Sequence, residues 1–141
     1  PPSGDFFYQH NQQPTVLISA GVGITPMISM LADVTEKYPS HPLWFFHQAR
    51  NSHYHPLADD VARYAGKGAQ TKSIVTYSQP LNEDEPDLVG RLTAEDLRQK
   101  LPDLNANFYI CGPTSFMTEL QQGLEESGVS PRQIHSESFG Q

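Results

Sequence analysis

Two glycines two residues apart, followed by Thr-Pro, close an apolar run in the stretch "VLISAGVGITPMISML", residues 16–31. Gly21 and Gly23 permit a tight turn and let the backbone come close to a bulky ligand, because neither carries a Cβ. Thr25 and Pro26 then mark a helix start, with Thr25 as the expected N-cap and Pro26 at the first helical position. The first N–H groups of a helix have no partners within it and lie at the positive end of its dipole, so the arrangement suits an anion such as a pyrophosphate. The pattern here is G-V-G-I-T-P, without the third glycine of the dinucleotide fingerprint. No acidic residue that could hold a ribose follows a second strand about twenty residues on. Taken alone, the stretch reads equally well as a strand-to-helix turn that needs small residues for packing.

A second stretch of the same kind, "ICGPT" at 110–114, ends another apolar run and enters a helix capped near Thr114. Cys111 there has two readings: a small buried residue at a strand end, or a reactive thiol. No basic partner can be assigned to it, so a nucleophilic role is not predicted. His47, His53 and His55 form H-x5-H-x-H, but no cysteine or carboxylate completes a ligand set, and no metal is expected.

The elements that must position these residues follow from hydrophobic periodicity. Apolar or β-branched runs recur at 15–19, 43–47, 73–77, 107–111 and, more weakly, 133–139. Helical patterns lie between most of them. Met27, Met30, Leu31, Val34 and Tyr38 share one face, and Leu57, Val61 and Tyr64 share another, with Pro56 opening that helix. Thr93 and Asp96 form a capping box, Leu92 and Leu97 a hydrophobic staple, and the helix is expected over 93–101. Phe116, Leu120 and Leu124 form a last stripe that stops at Gly128. Near-continuously apolar strands alternating with helices predict an α/β domain, a doubly wound five-stranded parallel sheet covered on both faces. The acidic, proline-rich stretch 79–91 reads as a surface loop. In such a sheet ligands sit outside the carboxyl ends of the strands where the strand order reverses, so the two small-residue loops define one cleft.

At 141 residues, one core burying roughly two-thirds of the unfolded chain's surface is the default. A formal charge of -7 with scattered Lys and Arg excludes a phosphate-backbone partner, so no nucleic acid is expected. No window holds the ~20 apolar residues of a membrane span. The single cysteine forbids an internal disulfide and is compatible with a cytoplasmic location. The start "PPSGDFF" has no initiator Met and reads as the edge of an excised fragment.

Together "GDFF", "PTVLISAGVGITPMISML", "WFFHQARNSHYH", "YICGP" before a Phe-Met helix, and "IHSESFG" resemble the NAD(P)-binding domain of the ferredoxin-NADP reductase superfamily. The likeness is greatest to the reductase part of flavohaemoglobins and related flavin reductases, and it covers essentially the whole chain. It implies a Rossmann-like domain that binds NADH or NADPH and delivers hydride to FAD held mainly by a separate β-barrel domain. Electrons would pass on to a haem globin or an iron–sulfur domain. The cofactors would carry the chemistry and the protein would supply placement, which accounts for the lack of a catalytic triad. The resemblance further implies that residues 1–13 end a flavin-binding domain or linker and that 14–141 form the nucleotide domain. By the same resemblance, Gly21, Gly23, Thr25 and Pro26 contact the pyrophosphate, and Cys111, Gly112 and Pro113 border the nicotinamide. Arg50 and Asn51 lie near the adenosine end, Glu137 stands near the reacting rings, and Phe139 covers the flavin face. Gln79 stands where phosphate-selective relatives carry Arg, which favours NADH, although Arg50 offers a charge for NADPH. Glu83, Asp84, Glu85 and Asp87 are expected to be solvated, with docking to a basic redox partner as the lesser reading. Two rival readings remain: a non-catalytic nucleotide-binding or interaction domain of the same fold, and a hydrolase or transferase using Cys111.

Overall fold

A computed structural model describes residues 6–139. Five strands fall on the predicted apolar runs: β1 (Thr15–Ala20), β2 (Leu43–Ala49), β3 (Thr71–Tyr77), and the two later strands Asn107–Gly112 and Ile134–Ser138. A sixth, β4 (Leu88–Val89), lies inside the stretch expected to be loop, so Asn107–Gly112 is β5 and Ile134–Ser138 is β6. Among the described residues the sheet therefore has six strands, not five, in the order β4-β3-β2-β1-β5-β6, and every neighbouring pair is parallel. Two residues are too few to leave a period in the sequence. Contacts outside the strand hold β4 in register, since Val75 N–H donates to the Asp87 carboxylate at 2.8 Å and Asp87 N–H to the Val75 carbonyl at 2.9 Å.

Among the described residues four α-helices cover the sheet: α1 (Ile24–Lys37), α2 (Ala58–Ala65), α3 (Ala94–Lys100) and α4 (Thr114–Glu126). The side-chain period of two sorts β1 between two layers. Val16, Ile18 and Ala20 pack with Leu97, Phe116, Leu120 and Leu124 of α3 and α4. Leu17, on the opposite face, packs with Met27, Leu31 and Val34 of α1 and Val61 of α2. Phe6 also enters that second layer, and the segment behind it is tied to β5. Gln9 N–H donates to Tyr109 Oη at 3.1 Å, and Asn107 Nδ2 donates to Asn11 Oδ1 at 2.9 Å.

The α3 start follows its sequence signal. Asp96 N–H donates to Thr93 Oγ1 at 3.2 Å, Thr93 N–H donates to the Asp96 carboxylate at 2.9 Å, and Leu92 and Leu97 are both buried. The end of α4 does likewise, with Gly128 and Val129 N–H donating to the Glu125 and Leu124 carbonyls. Three other starts differ from expectation. The cap of α1 is Gly23 rather than Thr25, because a 3-10 turn over Gly21–Gly23 runs directly into the helix. Pro26 still sits in the first turn, where a missing N–H costs nothing. The cap of α4 is Pro113 rather than Thr114. Leu57, expected on the buried face of α2, is instead its cap, with a left-handed φ of 62° and 42% exposure, and its carbonyl accepts from Val61 N–H at 3.0 Å.

Candidate functional site

The strand order reverses between β1 and β5, so the loops that follow these two strands share one edge of the sheet. They touch. A Cβ added at Gly23 would lie 2.6 Å from the carbonyl carbon of Cys111 and 3.1 Å from the Gly112 nitrogen, both backbone atoms that cannot yield. Gly112 is closed in as well, since its Cβ would fall 3.0 Å from the Phe116 ring and 3.3 Å from Ala20 Cβ. Gly21 has a φ of +58°, and the Phe139 ring tip lies 4.0 Å from where its Cβ would be.

A cavity opens on each side of this turn. The larger, about 460 Å³, is lined by Val22, Thr25, Pro26, Cys111, Glu137 and Phe139 among others. The smaller, about 260 Å³, is lined by Gly21, Gln48, Arg50, Tyr54 and Ser78 together with Ala20 and Ala49. Of the residues expected to touch ligand, Thr25, Pro26, Cys111, Glu137 and Phe139 thus border one cavity, and Gly21 and Arg50 the other. Gly23 and Gly112 line neither cavity; they meet at the backbone, next to Cys111, which borders the larger one. Pro113 lines neither cavity, and its carbonyl accepts from Met117 N–H at 3.1 Å. Asn51 is also set apart, being buried with its side chain accepting from His53 N–H at 3.0 Å and donating to the Gln79 carbonyl at 3.3 Å. It shapes the loop rather than facing the cavity.

The electrostatics differ between the two sides. Burial pushes the Cys111 thiol up to about 11, and the carboxylate of Glu137, opposite it in the β5–β6 register, adds to the effect. At neutral pH the group is a thiol, polarisable and nearly uncharged, which makes it a poor nucleophile. On the other side the Arg50 guanidinium lies 4.6 Å above the exposed Tyr54 ring, and among the described residues no carboxylate pairs with it. It remains available to an anion.

The sequence reading missed Tyr54. An exposed aromatic four residues after Arg50 was the available signal, and only folding shows that the two rims meet. It also left the histidines without a role. His47 Nδ1 is 2.7 Å from Ser19 Oγ, its ring stacks on His55 at 4.8 Å between centroids, and His55 Nδ1 is 2.7 Å from Tyr77 Oη. Burial, then the neighbouring His55, lowers His47 to about 3, so it is neutral. Among the described residues no three His, Cys, Asp or Glu side chains converge as a metal site would require. No helix among them is long and apolar enough to cross a membrane.

Residues 17–122 match the family described as the oxidoreductase NAD-binding domain. A flavohemoprotein of Bacillus subtilis is 42% identical over 144 residues, covering 99% of this chain, while the chain spans 36% of that relative's length. Among solved structures, the flavohem-like FAD/NAD-binding domain of nitric oxide dioxygenase from Vibrio cholerae superposes with a TM-score of 0.86 at 32% identity, covering 99% of this chain and 56% of that one. A flavohemoglobin from Malassezia yamatoensis with bound FAD and heme superposes with a TM-score of 0.80 at 28% identity, covering 92% of this chain and 32% of that one.

Proposed function

The chain belongs to the oxidoreductase NAD-binding domain family, and from that premise we propose that it binds NADH across the Gly21–Gly23 turn and presents the nicotinamide to an FAD held by a neighbouring β-barrel domain. The observation that carries this reading is the contact between the Gly23 turn and the Cys111–Gly112 backbone, with a cavity on each side of it. A Cβ would fill the space in which the two backbones meet, so the floor stays low and a pyrophosphate can lie over it, beside the N-terminus of α1. An extended dinucleotide then reaches both cavities. Its nicotinamide half enters the larger one, against Thr25, Pro26 and Cys111, and its adenosine half enters the smaller one, beside Arg50 and Tyr54.

When bound, the two cofactors would supply the redox chemistry, hydride transfer between nicotinamide and flavin. The chain's own residues orient and shield. Cys111 offers a neutral polarisable edge, Glu137 a carboxylate beside the reacting position, and Phe139 an aromatic face able to stack on a flavin ring. Gly112 and Pro113 keep the β5–α4 corner tight behind them, and Asn51 holds the loop that carries Arg50. Gln79, whose N–H donates to the Arg50 carbonyl at 2.8 Å, adds no charge for a 2′-phosphate, and this supports NADH over NADPH. On this reading residues 1–13 lead in from the flavin-binding domain and 14–141 form the nucleotide domain. The flavohemoprotein relatives favour a haem globin over an iron–sulfur domain as the electron acceptor, and a cytoplasmic location belongs to the same reading.

The test is calorimetric titration of the chain with NADH and NADPH, followed by anaerobic mixing with NADH and the flavin-loaded neighbouring domain. Binding with loss of the oxidised flavin absorbance is the expected result. Binding without flavin bleaching at any ratio would favour a non-catalytic nucleotide-binding domain, and no heat with either dinucleotide would end the reading.

A further inference from the structure

The loop joining β2 to α2 carries two of the residues that line the smaller cavity, Arg50 and Tyr54, and then reaches His55. Side chains of three different strands converge on that point. Ser19 lies on β1 two residues before Gly21, His47 is its register partner on β2, and Tyr77 ends β3. Ser19 Oγ and His47 Nδ1 are 2.7 Å apart, the His47 and His55 rings are stacked with an interplanar angle of 27°, and His55 Nδ1 and Tyr77 Oη are 2.7 Å apart. A continuous polar chain therefore runs from the root of the glycine turn, through the sheet, to the loop with the Arg50–Tyr54 pair.

An apolar side chain would suit the interior position of His47 better on burial alone. His47 is 1% exposed, and its Nε2 has no hydrogen-bond partner. What the imidazole adds is direction: a hydrogen bond and a ring stack fix angle and distance, whereas an aliphatic contact fixes neither. Asn51 clamps the start of the same loop through its bonds to His53 and Gln79.

We propose that His47 and His55 are positioning residues, which set the adenosine side of the dinucleotide site by tying loop 50–57 to the root of the Gly21–Gly23 turn through Ser19 and to the end of β3 through Tyr77. This rests on the dinucleotide-binding reading above. Neither histidine lines either cavity, so each acts through Arg50 and Tyr54.

The test is calorimetry of the chain with NADH, ADP-ribose and reduced nicotinamide mononucleotide, with far-ultraviolet circular dichroism of each variant. Loss of one positioning hydrogen bond should show as about fivefold to tenfold weaker ADP-ribose binding in His55→Ala, with nicotinamide mononucleotide affinity within about twofold of wild type. His55→Asn, which keeps a polar atom near the Nδ1 place, should recover most of the loss. Tyr77→Phe removes a single oxygen and decides the matter should His55→Ala fail to fold; it should weaken ADP-ribose alone. Unchanged ADP-ribose affinity in the folded variants would overturn the proposal, as would equal weakening of both fragments. Wild-type chain that binds no dinucleotide would instead overturn the underlying reading, and the proposal with it.

Discussion

A methyl group at position 23 would have to share space with the peptide that joins Cys111 to Gly112. Nothing flexible stands there, so the strands or the turn must move, and overpacking of this kind costs about 1–3 kcal/mol or more. Gly23→Ala is therefore expected to lower the unfolding free energy, measured by urea titration, by at least that amount and to remove measurable NADH binding, because the raised turn would displace the floor of the site. A stable Gly23→Ala chain with wild-type affinity would show that the close approach has no bearing on the ligand. The sequence assigns Cys111 no basic partner, and in the fold burial, with the Glu137 carboxylate beside it, keeps it a thiol at neutral pH. Arg50 and Tyr54 were four residues apart on paper, and the loop's curl is what puts the guanidinium over the ring.

Helix α3 reads from local signals because its start is built from neighbours in sequence: Thr93 and Asp96 exchange hydrogen bonds, and Leu92 and Leu97 close over them. Thr93→Ala should cost roughly 1 kcal/mol of stability, measured by urea unfolding, and leave NADH affinity unchanged, since Thr93 lines neither cavity. A change in affinity would mean that the two regions are coupled. The starts of α1 and α2 were harder to read for the opposite reason. Gly23 caps α1 because its turn is pressed against β5, and Leu57 is the α2 cap in a left-handed conformation that its sequence does not favour. Strand β4 is a product of its partner: Leu88 and Val89 pair with Thr76 and Tyr77 where the Asp87 side chain and backbone meet Val75.

For the whole molecule, the histidines give folding a pH dependence. His47 has a folded value of about 3 against an ordinary 6.5, and His41, His55 and His135 are shifted down as well, in each case chiefly by burial. Above about pH 6.5 His47 is neutral in both states and its titration adds no slope. Between about 6.5 and about 3 the unfolded chain takes up a proton that the folded chain refuses, so stability falls as pH falls. The limit for one such group is about 1.4 kcal/mol per pH unit. Urea midpoints taken from pH 7 to pH 5 should therefore decline, and His47→Asn should show a shallower decline than wild type. Equal slopes in the two proteins would place the neutral buried imidazole elsewhere.

The division between what local sequence determined and what required the fold follows the range of the interactions. Apolar runs of five or more residues, a capping box and a glycine stop are short-range patterns, so five strands, the α/β class, the α3 start and the α4 end were all present in the chain read as text. The small residues that end two apolar runs likewise picked out the two loops that meet. Tertiary structure alone decided that Gly23 lies against the Cys111–Gly112 peptide, that a sixth strand joins the sheet, and that Ser19, His47, His55 and Tyr77 form one chain across three strands and a loop. Apart from the His47–His55 stack, those contacts join residues a dozen or more positions apart, and no local propensity encodes a distance that only strand order and register can set.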